Sequence, residues 1–150
     1  MRAVVQRVSR AEVRVEGDVI GSCGAGVMVL LGVHAEDAEA DADWLARKVA
    51  EMRIFSDQEG KMNRALTDFG GEALVVSQFT LHAKTKKGAR PSFIHAAKPE
   101  TAIPLYERFV RQLEDHLKRP VATGRFGAMM EVDLINDGPV TITMDTRNKE

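Results

Sequence analysis

Hydrophobic positions in the first third of the chain follow the two-residue period of β-strands. Residues 3–8 are rich in β-branched side chains, and apolar residues alternate with charged ones over 12–16. The Gly-Asp pair at 17–18 is a tight-turn signal that leads into another short strand. The uninterrupted apolar run at 27–31 is typical of a strand buried on both faces. This part of the chain is therefore predicted to form a β-sheet.

Two later segments repeat their apolar residues at helical spacing. The first, residues 41–54, places its apolar side chains on one face and its charged ones on the other. The second, residues 100–117, carries a longer stripe formed by Leu105, Tyr106, Phe109, Val110, Leu113 and Leu117. Pro99 and Pro104 are expected near its first turn, where proline is tolerated. The spacing therefore predicts two amphipathic helices.

The remaining apolar segments again indicate strands. Residues 73–81 form a second buried run that ends in polar residues, and apolar positions alternate over 131–134 and 140–144. Residues 57–63 indicate a turn between short strands, and residues 82–92 indicate a mobile loop. No repeat or linker interrupts the 150 residues. The chain is therefore predicted to be one compact α/β domain, with two main helices and mixed or antiparallel sheets.

The charge balance limits the range of partners. The chain carries 21 Lys and Arg residues against 22 Asp and Glu residues, for a formal net charge of −1. Proteins that grip long nucleic acids through many phosphates are usually clearly basic. Contact with RNA is therefore expected to be local, at one end of the molecule, and neither DNA nor a membrane is an expected partner. No stretch has the length and apolarity of a leader or a membrane span, which predicts a cytoplasmic protein.

Metal and cofactor chemistry finds little support in the residue pattern. Cys23 is the only cysteine, so a disulfide framework and a four-thiolate zinc site are excluded, and we interpret it as a packing residue. The four histidines show no metal-binding spacing; they are His34, His82, His95 and His116. Each is interpreted as a surface or packing residue. No metal and no cofactor are predicted.

The first candidate site lies where the buried run becomes polar, at Ser77, Gln78, Phe79 and Thr80. A strand that becomes polar reaches an edge or a cleft, and small hydroxyl side chains leave backbone amides accessible. Such amides can stabilise an oxyanion. Spacing alone favours a simpler interpretation, a strand end with polar caps. The catalytic role of this segment is therefore a hypothesis at this stage.

The second candidate site is the segment Asn136-Asp137-Gly138-Pro139. Composition alone favours a β-turn between two strands. A Gly-Pro pair also presents bare backbone, and proline offers a carbonyl without an N–H group. If the peptide bond were cis, two adjacent carbonyls could point the same way and receive an ammonium group. The residue pattern leaves the isomer open.

The two candidate segments together resemble the signature pair of the D-aminoacyl-tRNA deacylases. In this chain the first motif reads SQFTL at 77–81 and the second reads NDGPVT at 136–141. Five further motifs follow the family order over nearly the whole chain: MRAVVQRV at 1–8, IFSD at 54–57, GKMN at 60–63, RPSF at 90–93 and TGRF at 123–126. Each motif is weak alone, whereas seven in register make a chance match improbable.

The resemblance implies the deacylase fold and hydrolysis of the ester between tRNA and a D-amino acid or glycine, a proofreading step in translation. It also implies a homodimer, in which Gly138 and Pro139 of one subunit, joined by a cis peptide, enter the pocket of the other. Their carbonyls would receive the substrate ammonium, and their backbone would exclude an L side chain. Asn136 belongs to this motif. Arg7 is expected to brace it through backbone carbonyls, although a solvated strand charge is an equal alternative.

Two chemical routes are open for the ester cleavage that the resemblance implies. In one, the Thr80 hydroxyl attacks and forms an acyl-enzyme. In the other, the terminal ribose 2′-hydroxyl helps to activate water, while the protein around Gln78, Phe79 and Thr80 orients the ester. We favour the second route, because the sequence places no base beside Thr80.

The only basic cluster follows the first motif directly and comprises Lys84, Lys86, Lys87 and Arg90. It is expected either to contact acceptor-stem phosphates or to be solvated. Two other classes of protein also remain open. One is a dimeric module that binds RNA ends without turnover, and the other is a generic esterase with its own serine or threonine nucleophile.

Overall fold

The computed structural model describes residues 1–150. Along the chain the elements are β1 (Arg2–Val15), β2 (Asp18–Cys23), β3 (Gly26–Gly32), α1 (Glu39–Glu51), β4 (Phe55–Ser56), β5 (Met62–Arg64), β6 (Glu72–Ser77), α2 (Pro99–Leu117), β7 (Ala122–Thr123) and β8 (Glu131–Asp145). Two short 3-10 turns lie at Leu66–Asp68 and Phe79–His82. Neither of the two α-helices combines the length and the apolarity needed to cross a bilayer.

Strand β1 is the centre of the main sheet. Its first half pairs antiparallel with β3, its second half pairs antiparallel with β2, and β8 runs antiparallel along its other edge. Strands β3, β6 and β7 continue the sheet in parallel pairing. Strands β4 and β5 form a separate antiparallel pair joined by residues 57–61, so the turn predicted at 57–63 ends two residues earlier. The predicted class, an α/β domain with mixed sheets and two main helices, is confirmed.

The two faces of the sheet contribute to two hydrophobic clusters. Alternate residues of β3 and β6, such as Val29 and Val75, join both helices in a main cluster of 23 buried residues. The intervening residues, such as Met28 and Leu74, belong to a second cluster of seven on the opposite face. Cys23 is 6% exposed and lies in this second cluster, as expected for a packing residue.

The helix boundaries differ from the sequence prediction at three points. Helix α1 begins two residues earlier than predicted, because the Asp41 carboxylate accepts a hydrogen bond from the backbone N–H of Ala38 at 2.9 Å and caps the first turn. It ends at Glu51 rather than at residue 54, since Met52 is extended. Pro104 is the sixth residue of α2 and therefore lies beyond the first turn. Its position is exposed, so water can solvate the carbonyl left without a donor.

The strand predictions need four corrections. The predicted strands at 3–8 and 12–16 are one continuous strand, β1, and the turn into β2 is centred on Glu16 and Gly17, one residue earlier than predicted. Strand β6 ends at Ser77 instead of residue 81, where the chain enters a 3-10 turn. Residues 136–139 are not a turn between two strands, because β8 continues through them. Local sequence does not reveal these differences, since they depend on where the partner strands end.

Candidate functional site

A cavity of about 440 Å³ opens where β6 ends. Ser77, Gln78, Phe79 and Thr80 all line it, and 12 of its 16 lining residues are hydrophobic. The structure thus places the first predicted segment at a cleft rather than at a plain strand end. A larger cavity of about 690 Å³, between Trp44 and the C-terminal residues, contains none of the predicted site residues.

The backbone amides of Phe79 and Thr80 lie at the start of the 3-10 turn. The preceding amide, of Gln78, still donates to the Leu31 carbonyl at 2.8 Å, as in the parallel ladder of β3 and β6. The chain then turns away from β3, and neither the Phe79 nor the Thr80 amide donates a hydrogen bond within the protein. The first amides of a helical turn lack partners in the turn itself, so they are available to an oxygen ligand.

The side chains at this turn include no activated nucleophile. The Thr80 hydroxyl is exposed, and its one side-chain partner is the Gln78 amide, whose Nε2 donates to Thr80 Oγ1 at 2.5 Å. An amide donor does not withdraw a proton from a hydroxyl. Phe79 is 55% exposed and meets Phe93 edge-to-face, with ring centroids 5.1 Å apart. The Thr80 hydroxyl therefore has no hydrogen-bonded base that could activate it.

Several wall residues were not predicted as site residues from the sequence. They come from the segment after β3, from α2 and the segment before it, and from the segment between β7 and β8, and include Val33, Ala97, Ala102, Tyr106, Phe126 and Met130. Tyr106 donates to the Val75 carbonyl at 2.8 Å, and burial raises the pKa of its phenol above its ordinary value. This tyrosine is therefore a neutral structural donor. Among these residues, only Phe126 lies in one of the motifs noted in the sequence, TGRF at 123–126.

Residues 137–140 form a wide bulge of β8, which we call the Gly-Pro corner. Gln6 of β1 pairs with Thr141 and Val8 pairs with Asn136, so a single β1 residue, Arg7, faces the four residues of the corner. The Gly138-Pro139 peptide is cis, and Gly138 has a φ of +131°. Both residues are exposed. The corner therefore projects from the sheet as bare backbone.

Two side chains fix the Gly-Pro corner from β1 and β8. Arg7 is 12% exposed; its Nε donates to the Asp137 carbonyl at 3.0 Å and its Nη1 donates to the Ile54 carbonyl at 2.7 Å. Asn136 Nδ2 donates to the carbonyls of Arg7 and Val140, each at 3.0 Å. Arg7 thus donates to backbone carbonyls, as expected if it braces the corner. The side-chain amide of Asn136 donates only to carbonyls of its own chain.

The structure does not bring all the predicted site residues together. None of Arg7, Asn136, Gly138 and Pro139 lines the cavity at the end of β6 in the same chain. In the basic loop, Lys84 is held by two backbone hydrogen bonds with Ser92, whereas Lys86, Lys87 and Arg90 are exposed. None of these four residues lines that cavity either. No group of three or more His, Cys, Asp or Glu side chains is arranged to hold a metal ion.

Comparisons with known proteins agree over nearly the whole chain. A family model described as D-Tyr-tRNA(Tyr) deacylase matches residues 4–145. A protein of Bacteroides thetaiotaomicron named D-aminoacyl-tRNA deacylase is 56% identical over all 150 residues of this chain and its own full length. A protein of the same name from Akkermansia muciniphila is 57% identical, again with full coverage of both chains.

Solved structures extend the comparison to the fold. The c-Myc DNA unwinding element binding protein superposes with a TM-score of 0.90 at 41% identity, over 97% of this chain and 99% of its own. A probable eukaryotic D-amino acid tRNA deacylase superposes with a TM-score of 0.82 at 18% identity, over 95% and 97% of the two chains, and supports the fold alone. By sequence and by fold, the chain belongs to the D-Tyr-tRNA(Tyr) deacylase family.

Proposed function

We propose that this protein hydrolyses the ester bond of D-aminoacyl-tRNA and releases a D-amino acid and free tRNA. One observation carries the proposal: two adjacent residues that line a largely apolar cavity, Phe79 and Thr80, have unpaired backbone amides. Amides in this arrangement stabilise the negative charge that develops on an ester oxygen during acyl transfer. Membership of the family, whose relatives carry the deacylase name, supports the same assignment.

The chemistry follows from the residues that surround the amides. Water attacks the ester carbonyl carbon, and the carbonyl oxygen becomes an oxyanion that accepts hydrogen bonds from Phe79 and Thr80. The ester C–O bond then breaks, and the departing ribose oxygen takes up a proton. Because no histidine, aspartate or glutamate lines the cavity, the proton of the attacking water is relayed by the RNA: the neighbouring 2′-hydroxyl of the terminal ribose accepts it and passes its own proton to the departing oxygen.

Chiral selection depends on a second subunit. The Gly-Pro corner is exposed and absent from the cavity of its own chain, so it is free to enter the cavity of a partner in a homodimer. Exposed apolar residues support such a contact: Phe79 (55%), Met129 (91%) and Val132 (37%) all line the cavity. Inside it, the carbonyls of Gly138 and Pro139 receive the ammonium group, and the backbone excludes an L side chain. Glycine has no side chain to exclude, so glycyl-tRNA is also a substrate.

The basic loop contributes electrostatic attraction to the acceptor end. We call the 3-10 turn at Phe79–His82 the catalytic turn. The residues of the basic loop follow it along the chain and are exposed: Lys84, Lys86, Lys87 and Arg90. A few local contacts of this kind are compatible with a net charge of −1. Binding along DNA through many phosphates would require a more basic protein. Because aminoacyl-tRNA is the substrate, the protein acts in the cytoplasm.

Turnover with matched D- and L-tyrosyl-tRNA tests the proposal. We expect loss of the D ester at catalytic protein concentrations, with the L ester stable over the same time. Binding of both tRNAs without release would instead assign an RNA-end-binding module. Cleavage of simple aryl esters with a trappable acyl-enzyme would assign a generic esterase.

A further inference from the structure

Three histidines that are far apart in sequence form one cluster beside the catalytic turn. The His34 ring lies 5.4 Å from the His82 ring in an edge-on arrangement and 5.4 Å from the His95 ring in a stacked arrangement, measured between centroids. They line a cavity of about 360 Å³ together with three cationic residues: Arg2, Lys84 and Arg147. We call this cavity the imidazole cleft.

Backbone pairing holds the imidazole cleft in place. The Ala35 amide donates to the His95 carbonyl, and the Ala97 amide donates to the Val33 carbonyl, both at 2.9 Å. These two bonds pair the segment after β3 with the segment before α2. His82, the third ring, ends the 3-10 turn that begins at Phe79. The cleft is therefore built on fixed backbone rather than on mobile surface side chains.

His82 supplies an unsatisfied polar atom on the wall of the cleft. The residue is 3% exposed, and its Nε2 is the only buried side-chain nitrogen or oxygen in the chain without a hydrogen-bond partner. Leaving such an atom unpaired is unfavourable, so a bound group that forms a hydrogen bond with it is a natural explanation. The histidines are not arranged to share a metal ion. The donors of this cleft suit an anion instead.

The charged lining of the cleft consists of the three cationic residues and one carboxylate, that of Asp145. Arg2 is paired with Asp145 at 2.8 Å and Arg147 with Glu36 at 2.6 Å, whereas Lys84 has no acidic partner. Asp37 is occupied by the ammonium group of Met1 at 2.7 Å. Burial lowers the pKa values of His34 and His82, and the charges of Arg147 and Arg2, respectively, act in the same direction. The carboxylates of Glu36 and Asp37 oppose this shift at His34, and a backbone hydrogen bond with Gly32 and the charge of Asp37 oppose it at His82. Nδ1 of His34 accepts a hydrogen bond from the Glu36 amide at 3.1 Å, so its neutral ring carries the hydrogen on Nε2 and can donate it to a phosphate oxygen.

The cavity at the end of β6, which we call the catalytic cavity, shares one wall with the imidazole cleft. Val33, Thr80 and Ala97 line the catalytic cavity, whereas residues one or two positions away on the same three segments, His34, His82 and His95, line the cleft. An RNA strand that places its terminal ribose in the catalytic cavity brings its phosphates to the adjoining surface. We propose that the imidazole cleft binds a backbone phosphate of the tRNA acceptor end, an inference that rests on the proposed function.

A comparison of two D-tyrosyl esters tests this site. One is D-tyrosyl-tRNA, and the other is 3′-O-D-tyrosyladenosine, which has the same scissile bond but no phosphate. The double substitution Arg147→Gln and His95→Gln removes one cation and one ring from partly or fully exposed positions of the cleft and leaves the basic loop intact. We expect kcat/KM to fall about tenfold or more with the tRNA ester and to stay unchanged with the adenosine ester. Lys61→Gln, an exposed lysine on the β4–β5 hairpin, is the control for loss of one surface charge.

Three outcomes would overturn the phosphate site: an equal fall with both esters, no fall with the tRNA ester, or an equal fall in the Lys61→Gln control. If the parent protein cleaves neither ester, the hydrolase proposal fails while the phosphate site remains testable. In that case the affinity for uncharged tRNA is measured against salt concentration. The double variant should lower the slope of log affinity against log salt by about one, and an unchanged slope rejects the site.

Discussion

Nε of Arg7 lies 3.0 Å from the carbonyl oxygen of Asp137, and this hydrogen bond ties the central strand to the Gly-Pro corner. A second donor of the same guanidinium, Nη1, reaches the Ile54 carbonyl at 2.7 Å. A planar group with several fixed donors can hold two carbonyls at once, which a lysine ammonium cannot do with the same geometry. One nearly buried side chain thus contributes, with Asn136, to the position of the corner.

Arg7→Lys should weaken chiral discrimination more than stability. Losing one or both hydrogen bonds of Arg7, to the carbonyls of Asp137 and Ile54, costs about 1–3 kcal/mol. The Gly-Pro corner is then held less firmly, so the ratio of kcat/KM for D- over L-tyrosyl-tRNA should fall about tenfold. Arg10→Lys is a matched control on the same strand, because Arg10 is exposed and pairs only with Asp133 at 3.4 Å. An unchanged ratio in Arg7→Lys would contradict the bracing role.

Gly138→Ala should lower both stability and deacylation. A Cβ at this position would lie 2.9 Å from Val140 Cγ2 and 3.0 Å from Arg7 Nη2, and the φ of +131° is unfavourable for any L residue. We expect a loss of about 1–3 kcal/mol in unfolding free energy and at least a tenfold slower single-turnover rate at a temperature where the variant is folded. Full activity in the folded variant would show that the Gly-Pro corner does not belong to the substrate site.

Thr80→Ala should retain measurable activity. The Thr80 hydroxyl has no base partner and contacts only Gln78, so its removal loses one orienting hydrogen bond, worth about 1 kcal/mol or a few-fold in rate. Single-turnover deacylation, with mass spectrometry of the quenched wild-type reaction, provides the measurement. Complete loss of activity in a folded variant, or an acyl group on Thr80, would assign the nucleophilic route instead.

Asp37→Asn should destabilise the fold without a direct effect on the chemistry. The Asp37 side chain and the Met1 ammonium are both fully buried and lie 2.7 Å apart. Removing one charge of a buried pair leaves the other uncompensated, at a cost of about 3–5 kcal/mol, which corresponds to a melting temperature lower by roughly 10 °C. Asp115→Asn, at an exposed position of α2, should change it little. Equal melting temperatures for the two variants would contradict a stabilising role of the buried ion pair between Asp37 and the Met1 ammonium.

Cys23 should resist alkylation at neutral pH. Burial, with the nearby charge of Glu72, raises the pKa of its thiol from 9.0 to about 11. The folded state therefore favours the protonated thiol, and this contribution to stability is present below pH 9 and is lost as the pH rises towards 11. At pH 8 the native protein should react roughly 100-fold more slowly with iodoacetamide than the urea-unfolded chain. Equal rates would show that the thiol is accessible.

Local pattern predicted most of the elements but not their ends. Each helix is recognisable from the spacing of the apolar residues within its own segment, and β3 and β6 are recognisable from their continuous apolar runs. The end of β6 at Ser77 depends instead on the length of β3, because a strand without a neighbour has no partner for its next amides. The bulge at 137–140 depends likewise on the register between β8 and β1.

The sequence by itself determined the fold class, the two motifs and the family, because these depend on residue types and their order along the chain. Only the tertiary structure decided that the Phe79 and Thr80 amides are unpaired, that Arg7 holds the Gly-Pro corner, and that three separate histidines meet in one cleft. Hydrogen-bond partners and shared cavities are relations between segments distant in sequence. They exist only once packing and strand register have brought those segments together.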